Sequence, residues 1–413
     1  MSRTALRATQ PVAEAPTGRP ALRLVTAPKV LLYSHDTFGL GNIRRTLVLA
    51  QALREQYPGA ALLLVTGSPM IHAFRIPDGL DYIKLPCLDR IEADQYQPRF
   101  LATWSAEVNR IRRSILHRTV MGFSPDLMIV DKRAAGIDGE LLETLRALRR
   151  SGRNTRLVLG VRDILDEPAR TCASLQRSQC LELVERYYDE VWIYGEESIF
   201  DAARVYDFPA AVAARTRYVG YLMRPTQVPV ARSGPPRVLV TTGGGGDGSE
   251  LIETYLRGLI ELPRSVALQT TVIFGPQMAT ARREQLLAQF GSLADVHFID
   301  FEADLTRRYA EADVVVSMAG YNTVCELLSM RRRAVLVPRA EPVMEQLIRA
   351  RLFAERGIFD LVEPSELTPG GLMRKVLAAI ARTDEEVPQI DLGGLTRVRE
   401  RAQALLEEPS RDD

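Results

Sequence analysis

Short apolar runs, many of them rich in β-branched residues, alternate along this chain with longer stretches whose apolar positions recur every three to four residues. In the first half Lys29 to Tyr33, Ala61 to Val65, Asp126 to Val130, Leu157 to Val161 and Val191 to Tyr194 read as buried strands. In the second half Val238 to Val240, Ala267 to Gly275, Asp295 to Phe301, Val314 to Val316 and Ala334 to Val337 do the same. Helices are predicted between them. The first runs from Ile43 to Tyr57, with Ile43, Leu47, Leu49, Ala50 and Leu53 along one stripe and Asn42 placed to cap it. Others run from Phe100 to Met121, from Ser249, from Asn322 to Met330 and from Val343. Thr368 is placed to cap a helix that starts at Pro369, and Leu395 to Glu407 forms the last helix. This alternation implies an α/β fold of doubly wound parallel sheets with crossover helices. In such sheets ligands gather at the carboxyl ends of the strands.

The pattern lapses in three places. The first 28 residues, rich in Ala, Pro, Thr and Arg, read as a disordered leader without the apolar core of a secretory signal. Pro86 to Arg99 is polar and reads as a long loop. Tyr221 to Pro236, with four prolines and no period, reads as a linker. Two Rossmann-like domains follow from this, at 29–220 and 237–385, with 386–413 as a terminal helical segment.

A length of 413 residues fits two domains, each with its own core. The net charge of +1 gives no argument for nucleic acid. Cys87, Cys172, Cys180 and Cys325 are scattered, with no C-x-x-C pair, so neither a zinc site nor a disulfide framework is expected. A reducing, cytoplasmic compartment fits that usage. The longest apolar runs, such as Ala60 to Val65, are strand-sized and far short of a membrane span.

Candidate chemistry sits where strands give way to helices. Ser34 to Asn42 (SHDTFGLGN) carries Gly39 and Gly41 between the first strand and helix. Gly243, Gly244, Gly245 and Gly246 follow the strand at Val238, and Gly320 opens the helix after Val316. Glycines at such junctions let a phosphate approach free backbone N–H groups, though a tight turn would use them too. Glu326 lies about a turn into the Gly320 helix, and Glu345 and Gln346 open the next one. Either these three grip a hydroxyl-rich ligand, or they are solvated helix-face residues favoured by the helix dipole. Charged residues also end strands at Asp131-Lys132-Arg133 and Arg162-Asp163. The helix from Phe100 carries Arg110, Arg112, Arg113, His117 and Arg118, a basic face that is either ion-paired or open to an anionic acceptor or membrane headgroups.

The stretch G-Y-N-T-V-C-E followed by an apolar strand and Glu345-Gln346 resembles the donor region of GT-B glycosyltransferases, especially the MurG type. Phe301-Glu302 and the loop Gly243 to Gly246 match that family locally as well. The loop H-D-T-F-G-L-G-N-I-R-R resembles a group of predicted glycosyltransferases that carry His after the second glycine, where this chain has Asn42. It also resembles the G-x-G-H-x-x-R loop of a UDP-sugar hydrolase, in which that His is catalytic.

The resemblance implies two lobes facing across a cleft, with the last helix crossing back to the first lobe. It further implies a nucleotide-sugar donor, most simply UDP-linked, with no cofactor; no D-x-D pair ends a strand in a suitable place, so no metal is expected. Glu326 with Thr323 would hold ribose, the Phe301-Glu302 main chain would meet uracil, and Glu345 with Gln346 would hold the sugar. Backbone N–H groups at the three glycine sites, with Arg44 or Arg162, would stabilise the diphosphate. Transfer to an acceptor hydroxyl would proceed with inversion. An amide at position 42 cannot accept a proton, which leaves His35 or Asp36 as the base, unless His35 only bonds loop backbone. The acceptor is undetermined, a glycan, lipid-linked or small molecule, and a peripheral contact with the inner face of the membrane is compatible with the basic helix. UDP-sugar hydrolysis, epimerisation, or nucleotide-sugar binding without catalysis are the competing readings.

Overall fold

A computed structural model describes residues 27–35, 41–92, 95–223, 234–302, 304–382 and 390–408. Most of the expected leader, Asp36, Gly39 and most of the expected linker lie outside the described residues.

The first lobe runs β1 (Lys29–Ser34), α1 (Gly41–Gln56), β2 (Ala61–Thr66), β3 (Leu80–Lys84), β4 (Leu88–Glu92), β5 (Gln95–Pro98), α2 (Ser105–Phe123), β6 (Leu127–Asp131), α3 (Leu142–Arg150), β7 (Arg156–Arg162), α4 (Pro168–Arg177), α5 (Cys180–Tyr187), β8 (Glu190–Tyr194), α6 (Ala202–Val205), α7 (Ala210–Ala213) and β9 (Thr216–Tyr218). The second runs β10 (Arg237–Thr241), α8 (Ser249–Glu261), β11 (Gln269–Ile273), α9 (Thr280–Phe290), β12 (Val296–Ile299), α10 (Thr306–Glu311), β13 (Val314–Ser317), α11 (Tyr321–Ser329), β14 (Arg333–Leu336), α12 (Glu345–Glu355), β15 (Asp360–Leu361), α13 (Pro369–Ala381) and α14 (Gly394–Glu407).

Every predicted strand is present, and both large sheets are parallel throughout. Their orders are β3-β2-β1-β6-β7-β8-β9 and β12-β11-β10-β13-β14-β15. The order therefore reverses between β1 and β6 in one lobe and between β10 and β13 in the other, and those are the places where a crevice opens beyond the strand ends. Central strands are buried from both sides, as β6 shows with all five residues inaccessible, because helices cover both faces.

The two lobes share one apolar cluster. It passes from Leu32 and Trp192 through Tyr221 and Tyr321 to Leu239 and Val315. Tyr221, Leu222 and Met223 are thus buried in the junction and are not part of an exposed linker. Arg349 of α12 is fully buried and binds Asp163 of the first lobe through two bonds of 2.7 and 2.8 Å. The last helix, α14, packs on α1 in the first lobe, with Arg399 bonding the Ala52 carbonyl and Arg401 pairing with Glu190.

Three local expectations need correction. The stretch from Pro86 to Arg99 holds an antiparallel hairpin, β4–β5, pinned to α2 by Leu88, Val108, Ile137 and Tyr96. Asn42 does not cap α1 from outside, since the helix begins at Gly41 and the Asn42 side chain points elsewhere. Arg112 leaves the basic face of α2 and turns inward, where Glu140 binds it with two bonds of 2.7 Å. Thr368 does cap α13, accepting from the Gly371 amide.

Candidate functional site

A cavity of about 800 Å³ lies between the lobes, over both reversal points. The second lobe contributes the loop Gly243 to Gly246 after β10, Gly320 to Thr323 at the start of α11, and Glu345 and Gln346 at the start of α12. The first lobe contributes Gly41 to Arg45 without Ile43, Lys132 to Gly136 after β6, Arg162 at the end of β7, and the α4 region. Nine basic side chains line it among the described residues: Arg44, Arg45, Arg90, Lys132, Arg133, Arg162, Arg170, Arg177 and Arg339. Among the described residues only Asp166, Asp247 and Glu345 oppose them, so the cavity favours a multiply charged anion.

The glycine loop is shaped by two demands. Gly245, at φ +89°, passes so close to the next strand end that a Cβ would stand 2.3 Å from the Phe274 carbonyl oxygen. Gly243, at φ +67°, faces open space. Packing explains the first residue. At the second, a side chain would meet only strain and whatever occupies the cavity.

Glu345 is buried and held at 2.5 Å by Arg162, with Arg339 at 3.6 Å and Arg349 at 3.8 Å. Burial opposes its ionisation, but Arg162, Arg349, Arg339 and Lys132 together hold the carboxyl below its ordinary value. It is therefore an anionic post for arginines, which leaves it less free to bind sugar hydroxyls than its position suggested. Gln346 differs: its buried Oε1 lacks a hydrogen bond among the described residues, an acceptor that a ligand hydroxyl would satisfy.

Glu326 stands back from the cavity wall. It does not line the cavity, and its carboxylate lies 3.9 Å from Arg44 on α1. Thr323, one turn earlier, does line it. Phe301 and Glu302 also lie outside the cavity wall, with Glu302 accepting a 2.9 Å bond from Arg308.

His35 is not available as a base. Its Nδ1 lies 3.1 Å from the Asp131 carbonyl, which can only accept, so Nδ1 carries the proton. Its Nε2 then accepts from the Asn42 amide at 3.1 Å. Arg45 closes the ring, donating to Asn42 Oδ1 at 3.0 Å and to Asp131 Oδ1 at 2.6 Å. Burial, then Lys132, Arg133 and Arg45, hold His35 well below its ordinary 6.5. It is a neutral bracket with both nitrogens used.

Sequence reasoning pointed to the strand-end residues Lys132 and Arg133 only in general terms. It missed Arg349, whose spacing of one turn from Glu345 looks like an ordinary solvated pair, and Arg90, which lies in the unrecognised hairpin.

Residues 238–391 match the family model of the glycosyltransferase family 28 C-terminal domain. A UDP-N-acetylglucosamine--N-acetylmuramyl-(pentapeptide) pyrophosphoryl-undecaprenol N-acetylglucosamine transferase of Phenylobacterium zucineum is 33% identical over 173 residues, 39% of this chain and 46% of that protein. The match thus spans about half the length of that relative. Among solved structures, MurG of Acinetobacter baumannii aligns over 91% of this chain and 95% of its own, with a TM-score of 0.53 and 18% identity. A UDP-glucosyltransferase of Polygonum tinctorium aligns over 93% and 99%, with a TM-score of 0.61 and 13% identity. The second lobe thus matches the family 28 C-terminal domain over residues 238–391, and the chain as a whole has the GT-B fold of these solved structures.

Proposed function

We propose that this protein transfers a hexosyl or N-acetylhexosaminyl group from a UDP-sugar to an acceptor hydroxyl, with inversion and without a metal ion. The observation that carries the reading is the cavity itself. Two glycine-bearing strand–helix junctions face eight basic side chains of the first lobe across it, with Arg339 and the orphaned Gln346 acceptor beside them. Backbone N–H groups and guanidinium groups would take up the charge that grows on a leaving diphosphate. That supply of positive charge is the support for a metal-independent reaction. Inversion is supported by how the cavity's carboxylates are engaged among the described residues: Glu345 is committed to three arginines, Asp247 to Arg339, and Asp166 accepts from the Glu167 and Met344 amides.

The Arg44–Glu326 contact, at 3.9 Å, sits at the limit of ion pairing. A diphosphate drawing Arg44 inward would let Glu326, which also faces Tyr309, turn towards ribose hydroxyls, with the Phe301-Glu302 main chain against the base. Glu326→Ala then weakens UDP binding about tenfold by calorimetry, on the order of one charged hydrogen bond. Unchanged affinity would remove Glu326 from the donor site.

On the first-lobe side, Arg90, Arg133, Arg170 and Arg177 suit an anionic acceptor, and the relative from Phenylobacterium is named for a pyrophosphoryl-undecaprenol acceptor. No helix among the described residues is long and apolar enough to cross a membrane. Ile91, Phe100, Leu101, Trp104 and Ile111 are nevertheless exposed around the hairpin and the start of α2, with Arg110, Arg113 and Arg118 exposed along that helix. This combination supports a peripheral contact with the cytoplasmic face of a membrane, which would bring a lipid-linked acceptor to the cavity.

The His35–Asn42 ring favours one other reading, a nucleotide-sugar binder without catalysis, because it fills the place where a base would act. Incubation with UDP-GlcNAc, UDP-Gal and UDP-Glc separates the readings. UDP released only with a lipid-diphosphate acceptor supports transfer, UDP released without one supports hydrolysis, and binding with no release supports the non-catalytic binder.

A further inference from the structure

We propose that Lys132 is the general base that takes the proton from the acceptor hydroxyl, an inference that rests on the transferase reading above. Among the described residues at the end of β1 no base is ready, since His35 Nε2 is taken by Asn42, and Arg45 binds Oδ1 of the neighbouring Asp131. Lys132 follows β6 directly, so it stands at the first lobe's reversal point, and it lines the cavity opposite the donor-side glycines. Its backbone is held at φ +64°, a left-handed conformation that a lysine adopts only when the surroundings impose it. No described residue forms a hydrogen bond or ion pair with its ammonium.

Residue choice is the second argument. Of 53 basic residues in the chain only Lys29, Lys84, Lys132 and Lys375 are lysines. Among the described residues every other basic side chain lining the cavity is an arginine. An arginine serves any need for fixed positive charge, and it cannot lose its proton. A lysine in that company is the one cation able to become neutral. The groups facing it are Arg162 from β7, Arg133 beside it, Arg90 from β4 and Glu345 from α12. Burial and then the arginines push its pKa from 10.5 down to about 7, while Glu345 opposes them.

In the step itself the amine lone pair takes the hydroxyl proton as the acceptor oxygen bonds to C1 of the sugar. The bond from C1 to the diphosphate oxygen breaks with its electron pair, and UDP leaves. Lys132 ends as an ammonium next to the departing anion and returns its proton to water. Base and charge stabiliser are then the same group at successive moments.

The test uses the full chain. In wild type, competitive acetylation by acetic anhydride, followed by mass spectrometry across pH, reports the midpoint of each lysine, and that of Lys132 lies near 7. Lys132→Arg keeps the positive charge, binds UDP within about threefold of wild type, and loses roughly 100-fold or more in turnover of UDP-sugar with acceptor. The wild-type rise of kcat/KM with pH through about 7 disappears in that variant. A midpoint in the ordinary lysine range, or a Lys132→Arg variant within tenfold of wild type, overturns the base role alone. A wild type that releases UDP from no UDP-sugar with any acceptor overturns the transferase reading, and the base role with it.

Discussion

His35 shows how one residue can be conspicuous in sequence and still serve a different purpose. A histidine at the end of the first strand, next to a glycine loop, invites a catalytic reading. The fold gives it a carbonyl on one side and an amide on the other. The consequence is a stability effect. Its folded pKa lies below 6.5, so the unfolded chain binds the proton more readily and stability is lost as pH falls below that value. Each pH unit in the window costs up to about 1.4 kcal/mol. Urea midpoints measured from pH 7 to 5 should fall for wild type and fall less steeply for His35→Gln. Parallel slopes would mean that His35 does not bind protons differently in the two states. Neither hydrogen bond could be read from sequence, because the Asp131 carbonyl is 96 residues away and the direction of the Asn42 side chain is set by Arg45.

At the scale of elements, the alternation of strands and helices was legible because parallel strands buried on both faces read as continuous apolar runs. The hairpin at Leu88 to Pro98 was not, because its two short strands bury little and carry mostly polar residues. The glycine loop was legible as a place of close approach, but which glycine answers to packing was not. Gly243→Ala meets open space and should cost about 1–2 kcal/mol from its left-handed backbone, with UDP binding reduced. Gly245→Ala must also push the Phe274 carbonyl from 2.3 Å, so it should lower the melting temperature further and abolish UDP binding. Equal melting temperatures for the two variants would show that the loop yields more easily than its contacts imply. Arg349 belongs at this scale as well. A buried arginine on a helix looks like a solvated one until the partner lobe supplies Asp163.

For the whole molecule, the cavity and the exposed apolar residues are joined by one short piece of structure. Arg133, in the cavity wall, stacks 5.1 Å from the ring of Tyr96 in the hairpin, and that hairpin borders the exposed Phe100, Leu101 and Trp104. A membrane held there would lie next to the first-lobe mouth of the site, where an anionic headgroup could reach the arginines. The chain has two tryptophans, and they differ in a useful way: Trp192 is fully buried, whereas Trp104 is 58% exposed. Emission that shifts on adding vesicles therefore reports Trp104. Vesicles of phosphatidylglycerol and phosphatidylcholine should shift it to the blue and carry the protein down on centrifugation. Pure phosphatidylcholine should do so less, and high salt should reverse the difference, because the arginine contribution is screened. Trp104→Ser with Phe100→Ser should lower vesicle binding about tenfold or more while leaving UDP affinity unchanged, since both residues lie away from the cavity wall. If vesicles of either composition leave emission and sedimentation untouched, the exposed residues face something other than lipid, and the acceptor must reach the cavity from solution.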